Sequence, residues 1–492
     1  MAQTRTDDRL QTDDRSRRLD HAFLMSQPPQ EHYPRTIRRT ARQEVLLQPS
    51  RRNQPRLKTQ SIPLLLVAGF GVASLFGAVL LSLPVSSSSG EWTSPIDALF
   101  VATSAVCVTG LTPVDTGTYW SGFGQVVILL LFQFGGLGFM TSATLLFLLF
   151  GWRVGVRERL LLSQTLDLGR MGGVVRLIRR TVTFALIAEA IGFAILFLRF
   201  LLDHPIERAA WYGLFHSVSA FNNAGFDLFG NFQGLAAYDD VLTLTTIAAL
   251  AFLGSIGYPV IEDLRQRRRA SLFLDTRIVL RTTFAVIGVV SLLVLALEWD
   301  GALAGRGIAD KILQSAFHAV ASRTSGFAAL PAASMSEEIL LITMAAMFIG
   351  GASGSTAGGI KVGTFGILLA ATWSAVASRS HVEAEGREIR RPDVDRALAL
   401  TIIALILVFT VAVGLARLEE IALLHLLFEA TSAFGTAGLS TGVTPALGDA
   451  GMLLITATMF VGRLGPLTLA LVLVQRSRLD RIRLPEERVR IG

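Results

Sequence analysis

Glycine closes four short segments of this chain: SAVCVTGL (104–111), SAFNNAGF (219–226), VASRTSGF (320–327) and SAFGTAGL (432–439). Aligned on Gly110, Gly225, Gly326 and Gly438, each has alanine five places earlier, at Ala105, Ala220, Ala321 and Ala433, and Leu or Phe immediately after. The glycines stand 115, 101 and 112 residues apart. What the copies share is backbone rather than reactive side chains. Glycine accepts backbone angles that side-chained residues resist, so it lets successive carbonyls face one way. Rings of such carbonyls can replace the water shell of a potassium ion. Four matching copies in one chain are the parts of a four-fold cation filter.

Elements long enough to carry such segments into a bilayer are present. The chain has 492 residues, is 51% hydrophobic and has a mean hydropathy of +0.52, the composition of a helical membrane protein. Apolar runs near 62–83, 124–151, 181–202, 241–261, 278–298, 339–349 continuing to 362–377, 397–416 and 452–475 predict eight spans. Short helices near 95–107, 209–222, 310–322 and 421–434 precede the four glycines. They are too short to cross, so each enters and turns back. Irregular backbone is tolerated at that depth only where it lines water, ions or protein. The expectation is an all-α membrane protein of four helix, pore loop, helix repeats around one pseudo-four-fold axis: a tail over 1–60, repeats over 61–152, 178–265, 275–377 and 396–478, and a C-terminal segment over 479–492. Each short helix directs the negative end of its dipole at that axis, which favours a cation over an anion.

The net charge of +7 is mostly a signal of orientation. Residues 1–60 hold 13 Lys+Arg against 7 Asp+Glu, leaving +1 for the rest. Basic clusters follow the even-numbered spans: Arg153, Arg157, Arg159, Arg170, Arg176, Arg179 and Arg180; Arg265 and Arg267 to Arg269; Arg379, Arg387, Arg390 and Arg391; Arg476, Arg478, Arg481 and Arg483. The other connections are acidic, so both termini are expected inside the cell membrane. No aromatic-interleaved basic module points to nucleic acid. The polar 1–60 segment reads as a mobile cytoplasmic tail, suited at most to a partner or the anionic lipid surface. The single cysteine, Cys107, excludes a disulfide framework and a thiolate metal site.

A second repeated mark lies on the helix after each glycine segment: GGLG (135–138), GSIG (254–257), GGASG (350–354) and GRLG (462–465). In the first two, small residues let helix backbones approach closely. The third opens the run Gly350, Gly351, Ala352, Ser353, Gly354, Ser355, Thr356, Ala357, Gly358, Gly359, whose five glycines each cost a helix about 1 kcal/mol relative to alanine. The sixth span is therefore expected to break into a loop below the filter. Arg463, in mid-span, would cost about 2.5–3.5 kcal/mol facing lipid, so it is expected to face the pore or that loop. Lys361 either anchors the loop or reaches the cytoplasmic interface. Asn222, Asn223 and Arg323 are expected to brace the filter from behind, Asp115 and Asp227 to form its outer mouth, and His216 and His318, placed on first turns of the short helices, to satisfy local hydrogen bonds.

Residues 61–492 resemble the Trk/Ktr/HKT superfamily of potassium transporters. The resemblance is carried by AVCVTGL with VDTG (114–117), FNNAGFD (221–227), RTSGF (323–327), GTAGLSTG (435–442), GGASGSTAGGIKVGTF (351–366) and MFVGRLGPLTL (459–469). It implies a selectivity filter of Val108, Thr109 and Gly110; Asn223, Ala224 and Gly225; Thr324, Ser325 and Gly326; and Thr436, Ala437 and Gly438, with potassium at the four glycines. It also implies a gate formed by 350–359 with Lys361 and Arg463. Some plant members carry serine in the first loop and prefer sodium; glycine in all four loops implies potassium. Without extra spans ahead of the first repeat, the chain is most similar to the KtrB-type membrane subunit. That branch implies a homodimer under a cytoplasmic KtrA-type ring that binds ATP or ADP, and the chain itself has no Walker or GxGxxG site. Sodium dependence stays open. The rival reading is an alternating-access cation carrier, coupled to sodium or protons, but such folds show two inverted repeats rather than four in one orientation. No motif of an enzyme is present.

Overall fold

The computed structural model describes residues 61–137, 174–266 and 272–475. The tail (1–60), the far half of the expected second span, the arginines of 153–170, Arg267 to Arg269 and the residues after 475 lie outside them. Fourteen helices longer than one turn occur among the described residues: α1 Ser61–Ser82, α2 Pro95–Cys107, α3 Gly122–Gly136, α4 Val174–Phe200, α5 Ile206–Asn222, α6 Val241–Ile256, α7 Tyr258–Gln266, α8 Leu274–Leu297, α9 Ile308–Ala321, α10 Glu337–Phe348, α11 Val362–Val376, α12 Arg391–Leu418, α13 Leu423–Gly435 and α14 Asp449–Gln475. The one hairpin, Glu383–Ala384 with Arg387–Glu388, turns through Glu385 and Gly386, both at positive φ. The described residues otherwise form helices and their connections, as expected.

Three of these helices are long and apolar enough to cross a bilayer: Arg179–Phe200 of α4, α8 and α12. The pair α6 and α7 meets the same test together but is bent by 88°. The sequence predicts one span over 241–261, and the structure divides that run at Gly257. Gly257 stands at φ +81°, and Pro259 has no N–H to donate to the Ser255 carbonyl four residues earlier. That carbonyl instead accepts from Ala352 N (2.8 Å), and the Gly254 carbonyl accepts from Thr356 N (3.2 Å). The glycine-rich run thus caps the broken end of α6. The break between α10 and α11 falls where the five glycines predict it.

The helices pack in a closed order. Within each unit the short helix lies against its long neighbour: α2 on α1, α5 on α4, α9 on α8 and α13 on α12. Between units, α3 packs on α5, α6 on α9, α10 on α13, and α14 returns to α2. Glycine makes three of the closest approaches possible. A Cβ on Gly135, Gly254 or Gly462 would run into the backbone carbonyl of Val106, Phe221 or Phe434, each four residues before a glycine of the filter segments. Gly462 therefore packs like the first two marks, although its neighbour Arg463 has a separate task.

This contact makes a prediction about stability. Gly254→Val forces a side chain into the Phe221 carbonyl and should destabilise the fold by about 1–3 kcal/mol, seen as a lower melting temperature of the solubilised protein. Gly288→Ala, exposed on α8 with nothing within 4 Å, should leave it unchanged or raise it. Equal melting behaviour of the two variants would refute the close-packing account.

Candidate functional site, a ring of four glycines

Each short helix ends by turning its backbone. In α2, α5 and α13 the ends are the same paired-bond cap: Thr109 N to Ser104 O, Ala224 N to Ser219 O and Ala437 N to Ser432 O, all 2.8 Å, with Val108, Asn223 and Thr436 bonded back three residues. That cap requires a left-handed residue, here Val108 (φ 58°), Asn223 (φ 58°) and Thr436 (φ 47°). The third segment differs, with Ser325 N bonded to Ala321 O at 3.0 Å, yet Thr324 is again left-handed (φ 69°). Two residues on, Gly110, Gly225, Gly326 and Gly438 take φ of 92°, 70°, 76° and 84°. Thr109, Ala224, Ser325 and Ala437 between them do not. In extended backbone of one hand, successive carbonyls point to opposite sides; alternating the hand of φ brings them to the same side. β-branched residues in the left-handed region cost roughly 1–2 kcal/mol each, so Val108, Thr324 and Thr436 hold strain. The sequence analysis names these three residues beside the glycines, but not the left-handed backbone they take.

The four segments meet. A Cβ placed on Gly110 would lie 2.5 Å from the Ala224 carbonyl oxygen; on Gly225, 3.1 Å from that of Ser325; on Gly326, 3.0 Å from that of Ala437; and on Gly438 it would collide with that of Thr109. Every glycine therefore faces the carbonyl before the next glycine, and the fourth closes on the first. Serine side chains of the short helices hold two segments in place: Ser104 Oγ accepts from Gly110 N (3.1 Å) and Ser219 Oγ donates to Phe226 O (2.8 Å).

The residues behind the ring are braced individually. Asn222 Nδ2 reaches Gln133 Oε1 (2.5 Å), Glu189 Oε1 (3.1 Å) and Val218 O (2.9 Å). With its amide nitrogen turned to the acceptors, Asn223 donates to Ala251 O (3.0 Å) and Ala220 O (3.1 Å). Arg323, 2% exposed, donates through Nη2 to Gly350 O (3.1 Å), tying the third segment to the start of the glycine-rich loop. His216 and His318 do make local bonds, but not from first turns: His216 lies in mid α5, accepting from Leu228 N (3.2 Å) and facing Tyr212 O (2.7 Å), and His318 lies in the last turn of α9 beside Thr343 Oγ1 (3.0 Å). Both lie about two turns past even the helix starts near 209 and 310 that the apolar pattern suggests, so the first-turn placement is wrong on residue count. Glu189 was passed over in the sequence, although a lone carboxylate inside the run FALIAEAIGF was a readable signal.

Below the ring, residues 350–359 form a loop pinned at both ends: Gly350 N to Ile360 O (2.8 Å) and Val362 N to Gly351 O (3.0 Å). Thr356 Oγ1 reaches Phe221 O (3.4 Å), and Gly358 and Gly359 press on Thr436 and Gly435. Arg463 donates to the carbonyls of Thr356 and, at 2.7 Å, Gly135, so it faces the loop. Lys361 Nζ turns back to Ala357 O (2.7 Å) and anchors the loop. On the other side of the ring, Asp115 accepts from Thr118 N and Phe232 N, both 2.8 Å, and half-buried Asp227 accepts from Phe229 N (3.1 Å). Burial pushes the Asp227 carboxyl up to about 6; the Phe229 N–H works against that shift and the nearby Asp115 carboxylate adds to it.

Comparison with known proteins identifies the family. The TrkH family model, described as cation transport protein, matches residues 40–481. The Ktr system potassium uptake protein B of Bacillus subtilis is 38% identical over 435 residues, covering 87% of this chain and 96% of that one. The potassium/sodium uptake protein NtpJ of Enterococcus hirae is 37% identical over 436 residues, covering 87% and 96%. The crystal structure of the potassium transporter TrkH from Vibrio parahaemolyticus aligns with a TM-score of 0.65 over 86% of both chains at 17% identity, which establishes a common fold. With a backbone ring as its candidate site and these similarities along nearly its whole length, the chain belongs to the TrkH family of cation transport proteins, which are transporters and not enzymes.

Proposed function

We propose that this member of a potassium-uptake family passes potassium across the cell membrane through the ring of Gly110, Gly225, Gly326 and Gly438. The closure of that ring carries the reading, since each glycine faces the carbonyl of the next segment. A potassium ion on the axis exchanges water for carbonyls of residues 108–110, 223–225, 324–326 and 436–438, and short-helix dipoles favour its charge. Eight spans and four re-entrant helices, with both termini cytoplasmic, accommodate the helix order. The loop over 350–359 is the gate. Bonded to Arg463 and Lys361 and lying against Thr436, it sets a peptide segment and two positive charges in the path of a cation. Asp115 and Asp227 concentrate cations at the outer mouth. A homodimer under a cytoplasmic KtrA-type ring that binds ATP or ADP completes the assembly, a reading supported by the word "system" in the names of the Ktr relatives. The name of the Enterococcus relative joins potassium with sodium, so sodium is the competing ion in the test of selection.

Gly110→Ser places a hydroxymethyl group against the Ala224 carbonyl at a backbone angle that suits only glycine. Rubidium over sodium selection in proteoliposome uptake should fall by roughly tenfold or more, the scale set by one misplaced polar group. Unchanged selection in a folded variant removes the filter assignment.

Arg463→Ala deletes a charge-assisted bond to the loop and should raise uptake by roughly tenfold and weaken its dependence on the regulatory ring. Parental flux with parental regulation rules out the arginine as a gate part.

External pH gives a third check. As it falls through about 6, Asp227 takes up a proton and the mouth loses one negative charge. The potassium concentration for half-maximal uptake should then rise on the acid side, and Asp227→Asn should show the high value at every pH. An Asp227→Asn profile that tracks the parent contradicts the role of this carboxylate.

A further inference from the structure

The position three residues before each ring glycine is occupied by Cys107, Asn222, Arg323 and Gly435. Four different residues at one place in a four-fold arrangement imply four different ways of holding the segment that follows. Cys107 is packed among apolar side chains. Arg323 is held by the Gly350 carbonyl, and Gly435 lies against the Met347 carbonyl. Asn222 alone is held by a cluster of polar side chains from two other helices.

That cluster has a definite construction. Glu189, on α4 and 6% exposed, receives Gln133 Nε2 on both carboxylate oxygens, each at 3.1 Å, and Asn222 Nδ2 on Oε1, also at 3.1 Å. Gln133, on α3, returns a bond through Oε1 to the same Asn222 nitrogen (2.5 Å). The backbone of α4 is fixed at this point by Ser217 Oγ, which donates to Glu189 O (2.6 Å). Gly136 leaves no room for Asn222 to move, because a Cβ there would overlap its amide. One carboxylate thus ties together the outgoing helix of the first unit, the incoming helix of the second and the last residue of α5. Asn223, held left-handed at φ 58°, follows directly.

We propose that Glu189 is a specificity-determining positioning residue, which with Gln133 fixes Asn222 and so sets the backbone geometry of the second filter segment. The proposal rests on the filter reading and deepens it. A buried carboxylate is costly in an apolar span, and its bonds make a stiff brace, because rotating Asn222 away strands Gln133 Oε1 and leaves Glu189 with Gln133 as its one side-chain donor. The brace acts on geometry rather than by touching the ion, so its signature is the ratio of ions and not the rate alone. What Asn222 needs is an acceptor oxygen at the Oε1 position, which glutamine also supplies.

Rubidium and sodium uptake into proteoliposomes tests this on the full chain. Glu189→Leu and Gln133→Ala should each lower the rubidium-to-sodium ratio by roughly tenfold, the equivalent of one lost buried hydrogen bond. Glu189→Gln should stay near the parent. A parental ratio in Glu189→Leu and Gln133→Ala overturns the proposal, and so does a Glu189→Gln ratio as low as that of Glu189→Leu. Should Glu189→Leu fail to reach the membrane, Gln133→Ala decides on the same criterion. Gly225→Ser, assayed alongside, separates the two claims. If it keeps the parental ratio, the filter reading itself fails; if it loses selection while Gln133→Ala does not, the brace alone fails.

Discussion

The structure depends on a carbonyl oxygen lying where a side chain would otherwise be. Around the ring, Gly110, Gly225, Gly326 and Gly438 each face the carbonyl before the next glycine. One shell farther out, Gly135, Gly254 and Gly462 face carbonyls of Val106, Phe221 and Phe434. Both sets remove Cβ so that backbone can approach backbone. In the outer set the gain is close packing, which in a bilayer must replace the hydrophobic driving force between helices. In the inner set the gain is a surface made of peptide oxygens. The same residue type thus serves two physical ends.

Such a surface has a cost in conformation. Val108, Thr324 and Thr436 sit in the left-handed region that β-branched residues avoid, and at roughly 1–2 kcal/mol each they would relax if nothing held them. Their neighbours hold them: the paired caps on Ser104 and Ser432, the Ala321 carbonyl, and Gly358 pressed on Thr436. Strain of this kind persists only where the surroundings over-determine the backbone. The individual braces behind the segments, from the Gln133 and Glu189 pair to Arg323, are therefore part of what the ring requires.

How far the sequence revealed this follows from which signals are local. The ring glycines, the short helices and the broken sixth span were legible because each is a deviation within a few residues: a glycine after an apolar helix too short to cross, or five glycines inside one that is long enough. Arg463 was legible because a charge in mid-span must find a partner, although which carbonyls it finds, Thr356 and Gly135, depends on residues 107 and 328 positions away. The bend at Gly257 was hidden in a run that is apolar throughout. Its local signal, glycine followed two residues later by proline, matters only because Ala352 and Thr356 supply the donors that a continuing helix would have provided. The handedness of Val108 and Thr436 ran against propensity, so no reading of residue preferences could have found it.

The third unit is where the four-fold pattern yields, and the reasons are physical. In the other three, a glycine on the following helix lets that helix lie on the carbonyl four residues before the ring. Here the following helix stops at Phe348, and Arg323 reaches across to Gly350 instead. A guanidinium bridging to a carbonyl tolerates a changed distance better than two backbones in contact, because the side chain has rotatable bonds and the packed pair has none. A helix free of backbone contact with its own segment can break, even though its Met347 carbonyl lies against Gly435 of the next, and the freed peptide groups of 350–359 then find acceptors on α6 and a donor in Arg463. On the proposed reading the gate occupies the one unit whose attachment to the ring is a long side chain, which is where a moving part disturbs the other three segments least.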